Sequence, residues 1–501
     1  MRLSTLKSGT DVRGVALGEN VTLTDDAVLK ISKAFIKWLS LKYGEKKFKV
    51  AVGHDSRLSS GRIFSKVKEG ILSSGCDVVY TGLSSTPSMF ILLKKSSFGC
   101  SASVMITASH LPYDRNGLKF FTPDGGLEGK NIDEILQIAE EGDFLYGDGE
   151  YLEKPYMDEY SEILVDIVRN ACGTQRPLEG KKIIVDAGNG AGGFFVDKVL
   201  IPLGANTEGS QFLKPDGRFP NHIPNPEDKD AIDSLSSAVM KNKADLGIIF
   251  DTDVDRAGAV AASGKEINRN RLIALVSAIL LKEKGGVIVT DSVTSDGLTE
   301  FIEGLGGEHV RFKRGYRNVI DKCIELNESG IYSPLAIETS GHAAFKENYF
   351  LDDGAYLITK ILILTSSLNE GESLTDLISG LKEPAEADEV RISFNALSKD
   401  FKAEGNSVIE ELKKAASLSS DMTLAPINYE GVRINFAKSC GDGWALVRMS
   451  VHDPVMPINL ESNSEGGNKI MAKRLLTLLQ KYEFLNLDNL IKFYNNKINE
   501  E

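Results

Sequence analysis

One pattern recurs in this chain and constrains its fold more than anything else. The runs Lys47-Phe48-Lys49-Val50-Ala51-Val52-Gly53, Lys181-Lys182-Ile183-Ile184-Val185-Asp186-Ala187-Gly188 and Gly285-Gly286-Val287-Ile288-Val289-Thr290 each pass from a basic or glycine lead-in to a buried-type strand. A polar turn and an amphipathic stretch follow each time, at intervals of roughly 100 to 135 residues. Strand-like and helix-like runs in alternation are the pattern of α/β domains, because an amphipathic helix must bury its apolar stripe against a sheet. The chain is therefore expected to form three similar α/β domains with mixed, mostly parallel sheets, followed by a different C-terminal α+β domain. Boundaries are expected at 1–156, 157–268, 269–386 and 387–501. The first falls after the acidic, Gly-rich stretch from Gly142 to Tyr156 and before a helix expected over Met157 to Cys172; the last follows the cluster Lys382 to Asp388. In the C-terminal quarter the pattern predicts a strand, a helix over Ser407 to Ser417, two strands about a turn at Ser439 to Gly443, and a final helix.

A length of 501 residues exceeds what one core holds and fits three or four domains. A net charge of -13 excludes a broad electrostatic footprint for nucleic acid or an anionic membrane, so an anionic substrate must be met by a local basic site. Five cysteines without CxxC spacing fit reduced thiols better than a disulfide framework. The longest apolar stretch, Leu272 to Leu281, is about half of a bilayer span. A soluble cytoplasmic protein is expected, with no nucleic acid and no membrane among its partners.

Four loops carry chemistry. The first, Thr107 to Lys119, follows the apolar run Ser103 to Ile106; Ser109 is a weak nucleophile unless polarised, and His110 and Lys119 offer a base and a cation nearby. The second, Asp251-Thr252-Asp253-Val254-Asp255-Arg256, follows the strand-like Leu246 to Phe250. Three carboxylates at alternate positions repel one another unless a cation lies between them, and magnesium takes hard oxygen ligands while leaving positions for phosphate oxygens. The third, Glu338-Thr339-Ser340-Gly341-His342, places a carboxylate, hydroxyls and an imidazole at a strand end, suited to sugar hydroxyls and proton transfer. The fourth, Arg448-Met449-Ser450-Val451-His452-Asp453-Pro454, is a compact phosphate site, with Arg448 giving a bidentate fork.

In this order and spacing the four loops resemble those of the α-D-phosphohexomutase superfamily, the phosphoglucomutases, phosphomannomutases and phosphoglucosamine mutases. Ser8-Gly9-Thr10-Asp11-Val12-Arg13-Gly14 is similar to that family's N-terminal arginine loop, and Val185 to Gly190 and Pro215 to Glu227 are similar to segments ahead of its metal loop. The resemblance implies four domains around a central cleft and a phosphoryl group carried by Ser109. It also implies a magnesium ion on Asp251, Asp253, Asp255 and the Ser109 phosphate, and a hexose 1,6-bisphosphate acting as intermediate or activator. Arg256, Gly315, Tyr316, Arg317, Glu338, Ser340, Arg448, Ser450 and His452 become the expected substrate contacts, and Arg13, Lys119, His110 and His342 the acid/base set. The implied activity moves a phosphoryl group between O1 and O6 of a hexose phosphate, in a monomer or homodimer.

Two departures stand out. Leu111 replaces the asparagine usual in the serine loop, and Val451-His452-Asp453-Pro454 replaces the usual Gly-Thr-Glu-Pro of the phosphate loop. The latter is similar to a plant and bacterial branch with a His-Asp-Pro sequence, which implies hexose 1,6-bisphosphate synthesis as an alternative outcome. Three further alternatives stay open. Gly188 to Gly193 satisfies GxGxxG with Glu208 about twenty residues on, as in a dinucleotide site. Asp251-Thr252-Asp253-Val254 fits an aspartyl-phosphate nucleophile, and a non-catalytic sugar-phosphate scaffold is the reading outside enzymes.

Overall fold

Each recurring run forms a strand in the computed structural model, which describes residues 2–45, 47–95, 97–369, 372–450 and 453–496. Contacts group the chain into two units: residues 1–279 with 340–378, and residues 280–339 with 379–501.

The first unit opens with an eight-stranded mixed sheet in the order Lys7–Ser8, Asp11–Val15, Arg115–Thr122, Ala102–Ile106, Lys49–His54, Asp77–Leu83, Tyr151–Glu153, with Gly125–Gly126 paired to Arg115–Thr122. Lys49–His54 runs parallel to both neighbours, and Ala102–Ile106 antiparallel to Arg115–Thr122. Helix Asp25–Tyr43 shows why the amphipathic stretches fold as they do. Thr24 caps it by accepting from Ala27 N, Asp25 and Asp26 complement the dipole, and Gly44 ends it in the left-handed region. Ala27, Ile31, Ala34, Phe35 and Trp38 recur at helical spacing and share one core with the sheet and helix Gly129–Glu141.

The same unit holds a second sheet ordered Glu266–Ile267, Ala257–Ala261, Leu246–Phe250, Ile183–Asp186. Leu246–Phe250 is parallel to Ile183–Asp186 and antiparallel to Ala257–Ala261, so the acidic loop is the connection of a buried hairpin. Helix Met157–Cys172 has the expected limits. The hairpin of Ala343–Phe345 with Leu351–Asp352 and helix Gly354–Ser366 also belong to this unit.

In the second unit Val287–Thr290 lies parallel between Glu308–Arg311 and Leu335–Ile337. Its other sheet has six antiparallel strands in the order Met422–Leu424, Val432–Phe436, Gly443–Val447, Val455–Ser462, Glu386–Phe394, Leu485–Asn486. Helices Phe401–Ser417, Gly467–Leu479 and Asp488–Asn496 pack on it. This quarter is richer than the sequence pattern indicated. The central strand Val455–Ser462 carries Pro457, a residue that argues against a central strand, and the short edge strands Met422–Leu424 and Leu485–Asn486 are too brief to show a period. Among the described residues no helix is long and apolar enough to cross a membrane.

Candidate functional site

The serine loop leaves the end of Ala102–Ile106 and turns sharply. Ser109 has φ +52° and is 4% exposed, a left-handed conformation that costs a non-glycine residue energy unless its surroundings impose it. Its amide donates to Thr107 Oγ1 at 2.9 Å. Its hydroxyl donates to Asp251 Oδ2 at 3.1 Å, receives Arg256 Nη2 at 3.4 Å and lies 3.4 Å from His110 Nδ1.

Across from it, Asp251, Asp253 and Asp255 are buried, with one carboxylate oxygen from each within 4.8 Å of the others. Between Asp253 and Asp255 the chain passes through Val254 at φ +66°, an outlier for a β-branched residue, and Gly354 N donates to the Val254 carbonyl at 3.1 Å. Lys119 Nζ bridges Asp253 Oδ2 at 2.9 Å and Asp255 Oδ2 at 2.6 Å, while Thr86 Oγ1 donates to Asp253 Oδ2. Arg256 is 2% exposed and spans Asp251 Oδ2 through Nε at 3.1 Å and Asn225 Oδ1 through Nη1 at 3.2 Å, with Glu227 Oε2 at 3.9 Å.

These charges do not balance. Burial, then Asp255, pushes the Asp251 carboxyl well above the usual carboxylate range against the pull of Arg256. Burial acts on Asp255 in the same direction, but Lys119 above all, with Arg256, outweighs it and holds that carboxyl low. Among the described residues Asp253 Oδ1 and Asp255 Oδ1 are buried with no hydrogen-bond partner. Three converging carboxylates, two of them with an orphaned oxygen, are a donor set suited to a hard divalent cation, so the residues fit the expected metal.

Burial, reinforced by Arg256 and Arg13, pushes His110 down to about 3. His342 is likewise pushed down to about 3, by burial and then Arg256 and Lys119, against Asp255. Both imidazoles are neutral near pH 7. Lys119 is held charged, because Asp253 and Asp255 overcome the burial that opposes them. His342 accompanies the acidic loop: its Nδ1 meets Ser340 Oγ at 2.9 Å, its Nε2 lies 3.9 Å from Asp255 Oδ1, and its backbone bridges Arg256. Arg13 pairs with Asp11 Oδ2 at 2.7 Å.

In the second unit Glu338 Oε1 accepts from Gly315 N at 2.6 Å, fixing the start of helix Tyr316–Glu328. Arg317 is engaged along its own helix with Asp321 at 2.8 Å. Glu430 Oε2 accepts from Arg314 N at 3.1 Å and from Ser292 Oγ. Arg448 is 7% exposed, its Nη2 and Nη1 stand 3.9 Å from Glu389 and Glu430, and its Nε has no hydrogen-bond partner among the described residues. Ser450 N donates to Val455 O, and Ser450 Oγ accepts from Asp453 N. His452, expected here as a substrate contact, lies outside the described residues, as does Val451.

Sequence reasoning joined Glu338 and Ser340 in one loop, and the contacts divide them between the units. It missed Thr86 beside the acidic loop and Arg57 behind the serine loop, and it marked the segment holding Asn225 and Glu227 without giving either residue a role. Asn225 and Glu227 left their signal in Pro224-Asn225-Pro226-Glu227, and Arg57 in Gly53-His54-Asp55-Ser56-Arg57 at a strand end. The dinucleotide alternative meets an obstacle. A Cβ on Gly190, the position that would let a pyrophosphate approach, would stand 2.7 Å from the Thr252 carbonyl oxygen, so protein backbone already fills that space.

A buried serine against a carboxylate trio in the first unit, and an under-paired arginine in the second, define a phosphotransferase class. The comparisons agree. Phosphoglucomutase/phosphomannomutase alpha/beta/alpha domains I, II and III match residues 5–146, 154–264 and 268–384. A phosphoglucomutase of Neisseria gonorrhoeae is 31% identical over 94% of this chain and 95% of its own. A phosphomannomutase/phosphoglucomutase of Pseudomonas putida is 31% identical over 91% of each. The crystal structure of a phosphoglucomutase/phosphomannomutase family protein from Burkholderia thailandensis superposes with a TM-score of 0.80 at 26% identity, covering 96% of this chain and 98% of that one. The chain belongs to the phosphoglucomutase/phosphomannomutase family, and it is an enzyme of the phosphohexomutase kind.

Proposed function

We propose that the protein moves a phosphoryl group between O1 and O6 of a hexose phosphate through phosphorylated Ser109 and a hexose 1,6-bisphosphate intermediate. The observation that carries the reading is Ser109 Oγ, held between Asp251 and Arg256 by a left-handed backbone. A phosphoryl group there carries about two negative charges. Arg256 offsets part of that charge, and Asp251, Asp253 and Asp255 are the residues that would hold a magnesium ion beside it. When bound, the ion supplies charge neutralisation at the transferring phosphoryl group.

A sugar hydroxyl attacks phosphorus, its new O–P bond forming as the Ser109 Oγ–P bond breaks. The hydroxyl's proton passes to a neutral imidazole, His342 or His110, while charged Lys119 is suited to donate. Arg13 completes the proton-handling set. Glu338 and Ser340 accept from sugar hydroxyls, with Gly315, Tyr316 and Arg317 orienting the ring. Arg448 and Ser450, with His452, take the non-reacting phosphate, supplying binding energy away from the chemistry. Transfer of the second phosphate back to Ser109 completes the cycle.

We also place domain limits at 1–156, 157–268, 269–386 and 387–501, and the protein in the cytoplasm as a monomer or homodimer.

The test is to treat the protein with phosphorus-labelled hexose bisphosphate and map the modified residue. Acid-stable label on Ser109, absent in Ser109→Ala, is expected; hydroxylamine-labile label on Asp251 would overturn the reading. The loop sequence Val451-His452-Asp453-Pro454 favours one second reading, net hexose 1,6-bisphosphate synthesis, since a side chain replaces the glycine that would accept a phosphate in two sugar orientations. Incubation with glucose 6-phosphate and fructose 1,6-bisphosphate distinguishes them by phosphorus NMR. A synthase accumulates free glucose 1,6-bisphosphate, and a mutase yields glucose 1-phosphate.

A further inference from the structure

Ser109 holds its left-handed backbone in a loop with turn bonds of its own, from Ser109 N to Thr107 Oγ1, Leu111 N to the Ala108 carbonyl at 3.2 Å and Arg115 N to the Pro112 carbonyl at 3.0 Å, but the carbonyls of Ser109 and Leu111 are met from outside it. One side chain reaches across it. Arg57, which follows strand Lys49–His54, is 2% exposed. Its Nη1 donates to the carbonyls of Pro112 at 2.7 Å and Arg115 at 2.9 Å, and its Nη2 to those of Leu111 at 2.6 Å and of Ser109 itself. Its Nε faces Asp55 Oδ2 at 3.2 Å, and Asp55 is fully buried.

The guanidinium is anchored in turn. Asp55 Oδ1 accepts from Arg57 N at 2.9 Å, and Asp55 N donates to Ile106 O at 3.1 Å, tying the anchor to the last residue of the strand that leads into the serine loop. The Phe219 ring lies 5.2 Å from the guanidinium carbon. A planar fork with donors in fixed directions can bind four carbonyls of one irregular loop at once. An ammonium has three donors and no fork.

We infer that Arg57 is a positioning residue for phosphoryl transfer: by binding the carbonyls of Ser109, Leu111, Pro112 and Arg115 it fixes the backbone that aims Ser109 Oγ between Asp251 and Arg256. The inference rests on Ser109 being the phosphoryl carrier. Arg57 engages Ser109 through its backbone carbonyl and not through the reacting hydroxyl. Its effect is geometric, and a displacement of about 1 Å in a reacting group costs on the order of 100-fold in rate.

The experiment is single-turnover transfer from labelled hexose bisphosphate to the full-length protein, in which a donor O–P bond breaks, the Ser109 Oγ–P bond forms and the hydroxyl proton leaves to a neighbouring base. Wild type, Arg57→Lys and Asp55→Asn are compared, with Mn2+ binding followed by EPR as a second readout at the acidic loop. Arg57→Lys is expected to slow labelling of Ser109 by roughly 30- to 100-fold, with KM and Mn2+ affinity within about twofold of wild type. Asp55→Asn, which keeps the guanidinium but neutralises its anchor, is expected to lie between the two; it supplies the comparison if Arg57→Lys does not fold. Labelling at the wild-type rate in the folded variants overturns the inference. So does a parallel loss of labelling and Mn2+ affinity, which would mark a general structural role. If wild type takes no label on Ser109, the functional reading fails instead, a result distinct from either.

Discussion

Lys119 shows at the scale of one residue how this site is balanced before any cation arrives. Its ammonium is the partner of both Asp253 and Asp255, and all three are buried. Removing one member of a buried ion pair leaves an uncompensated charge and costs about 3 to 5 kcal/mol. Lys119→Met is therefore expected to lower the melting temperature of the metal-free protein and to enlarge the rise that magnesium produces, both read by calorimetry; an unchanged magnesium response would show that the carboxylates do not bind it. Glu461 makes a second residue-scale case, in the other unit. It accepts from Trp444 Nε1 at 2.9 Å, and burial pushes its carboxyl up to about 7 from an ordinary 4.5, against the pull of Trp444 and Arg433. A group with a raised folded-state pKa stabilises the fold fully below its unfolded value, and that contribution is lost as pH rises through the folded one. The chain is expected to lose about 3 kcal/mol of stability from this group between pH 4.5 and pH 7. Glu461→Gln, which keeps the acceptor for Trp444, should flatten that slope in pH-dependent unfolding curves.

At the scale of elements, the acidic loop is closed by Asp251 N on the Arg256 carbonyl at 3.3 Å and is held from outside by the start of helix Gly354–Ser366. Asp353 caps the helix by accepting from Tyr356 N at 2.9 Å and also receives Tyr160 Oη at 2.7 Å. The helix can therefore stand with Gly354 N against the Val254 carbonyl. A Cβ on Gly354 would meet the Arg256 carbonyl carbon at 2.6 Å and its oxygen at 2.8 Å. That backbone cannot yield cheaply, because Arg256 also bridges His342. Gly354→Ala is expected to cut kcat at least about tenfold by displacing Asp255 and Arg256, and to weaken magnesium binding in a titration followed by activity. A variant with wild-type kcat and metal affinity would show that the helix start does not set the loop. The elements least legible in sequence lie in the antiparallel C-terminal sheet, where Pro457 interrupts the alternation of a central strand and side-chain period no longer reports pairing.

On the scale of the whole molecule, the two units hold different chemistry. The first carries Ser109, the acidic loop, Lys119 and both neutral histidines; the second carries Glu338, Gly315 and Arg448. Magnesium should therefore act locally. In hydrogen exchange followed by mass spectrometry, saturating magnesium is expected to slow exchange at residues 107–119 and 251–256 and to leave the six-stranded sheet of the second unit at its metal-free rate. Protection confined to exposed acidic surface would instead place the ion elsewhere. The net charge of -13 belongs to this scale too, because it leaves anion recognition to local arginines such as Arg256 and Arg448 rather than to a global field.

What the sequence determined by itself was local and periodic. The strands before each loop, the helix Met157–Cys172, the alternation of Asp251, Asp253 and Asp255, and the order of the four loops are properties of neighbouring residues, and neighbours are what a linear pattern records. Tertiary structure alone decided which groups face one another. It set Arg57 across four carbonyls of the serine loop, Lys119 between two aspartates more than 130 residues away, and His342 beside Asp255. It also decided protonation: His110 and His342 are neutral, and Asp251 and Asp255 are driven apart. The physical reason is that burial and Coulomb interactions depend on distance in space, which separation along the chain does not specify.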